Sequence, residues 1–188
     1  MTKTITLTPR QILDRLVSFP TVSRGSNLDL IDWLEGYLAS HGITAHRHWN
    51  EDRQKAALFA HVGPWEPGAV VLSGHSDVVP VDGQTWTTDP WTVTERDGRL
   101  YGRGAADMKG FIACVLEAAP RFARAGLRTP LHIALSYNEE TNMHGMRQLA
   151  AHLAGAPLRP AACIIGEPTA MQVVVANKGA AGYRVRVR

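Results

Sequence analysis

Three short apolar runs in this chain of 188 residues each end in an acid or an imidazole, and that placement constrains the fold more than any other feature. Val70-Val71-Leu72 runs into Ser73-Gly74-His75-Ser76-Asp77. Leu131 to Tyr137 runs into Asn138-Glu139-Glu140, and Cys163-Ile164-Ile165 into Gly166-Glu167-Pro168. Apolar runs of this length, bounded by turn residues, read as strands buried on both faces. Between them lie stretches of helical period. Lys109 to Ala125 forms a long apolar helix closed by Gly126, and Met146–Leu153 a shorter one. Strands alternating with helices predict an α/β fold whose mostly parallel sheet carries helices on both faces.

The flanking sequence agrees. Thr8-Pro9-Arg10-Gln11 opens a helix with Thr as cap, Pro at the first helical position and Gln at the reciprocal position. Ile12, Leu13, Leu16 and Val17 give that helix an apolar stripe. A second helix runs from about Asn27 to Ser40, with Leu30, Leu34 and Leu38 on one face and Gly42 past its end. Ala56–Val62 reads as a strand, and Thr92–Thr94 with Arg99–Tyr101 as a hairpin about Asp97-Gly98. Val173–Ala176 and Tyr183–Val187 are the last strand candidates.

In an open α/β sheet, ligands bind beyond the carboxyl ends of the strands. His75, Glu140 and Glu167 follow three strand ends, and Asp107 sits in Gly102-Arg103-Gly104-Ala105-Ala106-Asp107, the loop entering the long helix. All four are therefore expected at one rim. Singly, each has a bland role: a satisfied polar histidine, a solvated glutamate pair, a turn cap, a helix cap. Their convergence does not. Adjacent glutamates after an apolar strand are costly unless a cation offsets them. An imidazole with carboxylates and no thiolate suits Zn²⁺, Co²⁺ or Mn²⁺. One carboxylate bridging two ions would serve a hydrolase, and a nearby non-ligating glutamate could move the proton. Asp77, two residues beyond His75, could hold the ring nitrogen that faces away from the metal.

Composition narrows the partners. The net charge of +3 comes from 20 basic and 17 acidic residues scattered along the chain, which gives no footprint for nucleic acid or for an anionic membrane. No apolar run is long enough to span a bilayer, and the amino-terminal segment lacks the apolar core of a signal peptide. The two cysteines, Cys114 in an apolar helix and Cys163 in a strand of buried character, have no near partner in sequence, so a reduced cytoplasmic setting is expected. Gly102-Arg103-Gly104 does not complete a phosphate-binding glycine pattern, and Asp107 would repel phosphate there.

Gly74-His75-Ser76-Asp77-Val78-Val79-Pro80, the segment 102–110, Asn138-Glu139-Glu140-Thr141 and Gly166-Glu167-Pro168-Thr169 resemble the M20 metallopeptidase and deacylase family. The resemblance implies a zinc-peptidase-like catalytic domain holding two divalent ions, Zn²⁺ or Co²⁺. By it, His75 and Glu167 hold one metal, Glu140 the second, and Asp107 bridges them, while Glu139 is the general base and Asp77 orients His75. Asn138 departs from the Asp common there. The implied reaction is hydrolysis of the amide in a small N-acyl amino acid. The resemblance further implies that residues 1–178 are the amino-terminal part of the catalytic domain and 179–188 the start of a lid and dimerisation domain. The full-length parent is then expected to be a homodimer. The rest of the lid, and the return that supplies another metal-binding histidine, would lie beyond this chain, leaving it with little turnover of its own.

Overall fold

A computed structural model describes residues 6–155, 159–176, 178, 179, 183 and 185–187. Helix α1 (Pro9–Val17) starts as the sequence dictates: the Thr8 side chain accepts from the Gln11 amide, and the Gln11 side chain answers to the Thr8 amide. Helix α2 (Leu28–Ser40) follows. Asn27 precedes it but spends its side chain elsewhere. It donates to Ala56 O at 2.9 Å and accepts from the Ala56 amide at 3.1 Å, pinning the start of β2 (Ala56–Val62).

The main sheet also contains β1 (Ala45–Trp49), β3 (Val70–His75), β6 (Leu131–Ser136) and β7 (Ala162–Ile165), in the order β1-β2-β6-β3-β7. A separate hairpin pairs β4 (Thr94–Arg96) with β5 (Arg99–Tyr101) across Asp97-Gly98, both at positive φ. Its first strand therefore begins where Thr92–Thr94 was expected to end.

The α/β class is as expected, and the sheet is mixed. β3 pairs in parallel with β6 and with β7, whereas β2 runs antiparallel to both β1 and β6. Connection length decides this. Only six residues join β1 to β2, enough for a reversal but not for a crossover. By contrast, helix α3 (Gly110–Arg124) lies between β3 and β6, and helix α4 (His144–Gly155) between β6 and β7. Both links are long enough to return the chain in the same direction.

Alternation along β2 splits the core in two. Ala56, Leu58, Ala60 and Val62 face α1, α2 and α3, where Ile12, Leu16, Leu30, Leu34, Ile112 and Leu116 are fully buried. Ala57 and Phe59 face α4, with Val71, Tyr137 and Leu149. Helices thus cover both faces, three against one.

One strand was not expected, and two expected strands are not seen. Strand β1, Ala45-His46-Arg47-His48-Trp49, carries too little apolar character to announce itself. Val173–Ala176 is not a strand: Val173 and Val175 are more than nine-tenths exposed and pair with no strand among the described residues. The expected strand Tyr183–Val187 falls partly outside the described residues, and its described members are exposed and unpaired in any sheet. Cys163 is exposed because β7 is an edge strand, and Cys114 is exposed on α3; both are free thiols.

Candidate metal centre

Parallel pairing brings the carboxyl ends of β3, β6 and β7 to the same edge of the sheet. His75 is the last residue of β3 and is 1% exposed. Glu139 and Glu140 sit in the turn after β6, and Glu167 lies two residues beyond β7. Asp107 enters from the widened helical turn Ala105–Lys109, where its own φ and ψ (−121°, 94°) leave the helix and its peptide bond to Met108 is cis. Gly104 makes that turn possible. It holds φ +80°, and a Cβ there would come within 2.6 Å of Val78 Cγ1.

His75 Nε2 lies 3.0 Å from Asp107 Oδ1 and 3.9 Å from Glu167 Oε1. One ligand atom from each of these three residues falls within 4.8 Å of the others, the spacing a single cation can gather. Glu140 is outside that trio but within its field. Burial and the charges of Asp107, Glu139 and Asp77 push its carboxyl pKa up, with His75 pulling the other way. Glu167 is raised too, by burial and then by Asp107, Glu139 and Glu140 against His75. Five acids, Asp77, Asp107, Glu139, Glu140 and Glu167, crowd around one imidazole. Such a set is uncomfortable as bare anions and well matched to divalent cations.

Asp77 holds the underside together. It is buried, and burial alone would raise its pKa; His75, the Ser23 hydroxyl and the Glu139 amide outweigh that and lower it. Ser23 Oγ donates to Asp77 Oδ2 at 2.5 Å, and the amides of Glu139 and Glu140 point at its two oxygens from 3.1 and 3.4 Å. The same carboxylate therefore sets the glutamate turn beneath His75. The contact with the ring differs from the sequence expectation. His75 Nδ1 lies 2.8 Å from the Asp77 main-chain oxygen, with the carboxylate at 3.6 Å acting as a nearby charge. With Nδ1–H donated to a carbonyl, the Nε2 lone pair is the one free for a cation. Without a cation, burial lowers the His75 pKa but Asp77 and Asp107 more than offset it, raising it to about 9.

Sequence reasoning missed two lysines and a serine in the supporting shell. Lys109 is fully buried, and its Nζ donates to Leu16 O at 2.9 Å and Phe19 O at 2.8 Å, tying the Asp107 turn to the end of α1. Burial lowers its pKa to about 7, with Asp77 opposing. Lys55 donates to Ser23 O and, at 2.5 Å, to Asn138 Oδ1. Asn138, at φ +58°, offers its main-chain oxygen to the amides of Asn142 and Met143, closing the turn that carries the two glutamates. Lys109 alone left a signal in sequence: a lysine leading directly into an apolar helix.

The family described as peptidase family M20/M25/M40 matches residues 71–186. Acetylornithine deacetylases from Yersinia pestis and Yersinia pseudotuberculosis are 40% identical over 183 residues, covering 92% of this chain and 46% of each relative. The chain thus spans about half the length of the curated relatives it matches. Among solved structures, an M20 family metallo-carboxypeptidase from Sulfolobus solfataricus superposes with a TM-score of 0.72 at 20% identity, over 84% of this chain and 37% of that one. Human carnosine dipeptidase 1 gives 0.63 at 24% identity, over 84% and 38%. These two likenesses speak for the fold.

Proposed function

Because the chain belongs to peptidase family M20/M25/M40, we propose that it is the amino-terminal, metal-binding part of a hydrolase that removes the acetyl group from N-acetylornithine, giving ornithine and acetate. The gathering of His75, Asp107 and Glu167 within 4.8 Å carries the metal part of the reading. The relatives' name and the 40% identity over 183 residues support the substrate.

In this reading His75 and Glu167 would hold one divalent ion, Zn²⁺ or Co²⁺, Glu140 would hold the second, and Asp107 would be shared between them. Bound there, the ions would polarise the amide carbonyl and bring water's pKa towards about 7. Glu139 takes the proton from the attacking water and passes it to the leaving nitrogen. Its place next to Glu140, with its amide on Asp77, fits that task. Asp77 keeps the imidazole and the glutamate turn in register. Residues 1–178 belong to the catalytic part and 179–188 begin the lid. We assign the protein to the cytoplasm, and its two free thiols accord with that. Among the described residues no helix is long and apolar enough to cross a membrane.

The test is a substrate panel on the full-length parent: N-acetylornithine, succinyl-diaminopimelate, neutral N-acetyl amino acids and a dipeptide. N-acetylornithine is expected to give the highest kcat/KM. Preference for another member of the panel would replace the substrate while leaving the hydrolase in place. In the same protein Glu139→Gln is expected to lower kcat by about 10²-fold or more, the scale of lost general base catalysis, with metal content unchanged. Full activity in that variant would remove Glu139 from its role.

A further inference from the structure

Five of the chain's eight histidines gather on one face of the sheet, away from His75. On β1, His46 and His48 alternate with Arg47, which turns to Asp32 and Glu35 on the opposite side. His61 of β2 is the cross-strand neighbour of His132 on β6, and His152 comes from α4. A cavity of about 1120 Å³ opens here, lined by His46, His48, His132 and His152 with Phe59 and Trp65. His61 lies flat on Trp65 at 4.0 Å between centroids, and His132 meets Phe59 edge-on at 5.0 Å.

The chemistry of this cluster is unfinished. A neutral imidazole carries one N–H and one lone pair, and each normally finds a partner when buried. His48 Nε2, His61 Nδ1 and both nitrogens of His132 are buried without a hydrogen-bond partner. The rings of His48 and His152, from different elements, are 4.5 Å apart between centroids and tilted by 57°. Two imidazoles on one ion, each with nitrogen at about 2.0–2.1 Å, need rings at close quarters of this kind.

We propose that His48 and His152 form a divalent transition-metal site at the mouth of this cavity, separate from the catalytic centre. The open cavity leaves room for water to complete the coordination shell. No carboxylate is among the groups that perturb the cluster. Burial, then His152 and His46, lower the His48 pKa, while burial, His61 and His152 lower that of His132. At His48 and His132 this favours the neutral ring, the form in which an imidazole binds a metal. A nitrogen-only site favours Cu²⁺, Ni²⁺ or Zn²⁺ over Mg²⁺ or Ca²⁺, unlike the oxygen-rich set around His75.

Cu²⁺ is the probe, added to the His75→Ala chain so that the catalytic centre is disabled, with binding followed by calorimetry and electron paramagnetic resonance. The expected result is one bound equivalent whose spectrum carries hyperfine structure from two imidazole nitrogens. Adding His152→Gln, at an exposed helix position, is expected to abolish that equivalent with the circular dichroism spectrum unchanged; His48→Gln should do the same. A His75→Ala chain that binds no Cu²⁺ overturns the proposal. So does an equivalent that survives both glutamine substitutions.

Discussion

At the scale of single residues, the candidate centre depends on groups that never touch a metal. Asp77 is a buried carboxylate whose oxygens accept from Ser23 Oγ and two main-chain amides, and its neighbour above is the His75 ring. Ser23→Ala deletes one charge-assisted donor and leaves an anionic oxygen short of a partner in a dry site. Such losses cost roughly 1.5–3 kcal/mol. The variant is expected to unfold at lower urea concentration by about 2 kcal/mol, and an unchanged midpoint would show that Ser23 is dispensable. The ligand candidates were readable from sequence because each follows an apolar run or a glycine-rich turn. Ser23 was not, because it reaches Asp77 from 54 positions away through the bridge between Val22 and Val78. The main-chain oxygen that takes the Nδ1 proton was equally hidden, since no residue type encodes it.

Strands and helices place the two cores, and here the histidines of the α4 face impose a pH dependence. His132 is 1% exposed, and burial, followed by the charges of His61 and His152, lowers its pKa to about 4. Its unfolded value is near 6.5. Between those two values the unfolded chain binds more protons than the native one, so stability falls as the pH falls from about 6.5 and levels off near 4. One proton corresponds to a slope of about 1.4 kcal/mol per pH unit, and to roughly 3 kcal/mol at most over the window. His132→Leu is expected to flatten that part of the profile by up to this slope, read from urea unfolding at pH 7.5, 5.5 and 4.5. Parallel profiles for the two proteins would mean that His132 titrates normally. His75, whose pKa is raised, acts in a different window: its stabilisation is complete below about 6.5 and fades as the pH climbs through 9. The same imidazoles explain why β1 escaped the sequence reading. Its alternate positions carry histidines over an open cavity, so its period of two is written in polar residues. By contrast, β2, β3 and β6 are dense in apolar side chains and were legible almost to the residue. The mixed sheet was a matter of counting: the six residues between β1 and β2 cannot carry a crossover, although β1 first had to be seen.

For the whole molecule the decisive feature is the edge of the sheet at β7. Among the described residues that strand pairs only with β3, which leaves its outer row of amides and carbonyls without a strand partner there, and Ile164 and Ile165 are 53% and 59% exposed. Val173, Val174 and Val175 add exposed apolar surface in the chain just beyond. Soluble proteins protect such edges with charge, proline or a covering segment. Among the described residues none of these covers the outer side of β7, where the four residues Ala162–Ile165 carry no charge. An uncharged, apolar edge of this kind pairs with whatever strand it meets, and in a solution of the isolated chain that is another copy of itself. The 188-residue chain is therefore expected to self-associate with rising concentration, seen by sedimentation velocity as a growing fast component. Ile164→Lys places a charge on the free edge, a substitution of the sort natural sheets use against pairing. It is expected to suppress the fast component without disturbing His75, since Ile164 pairs with Leu72, three positions before the metal-site histidine. Equal association in both proteins would direct attention away from β7 to another apolar surface, with the histidine-lined cavity beside α4 the next to be tested.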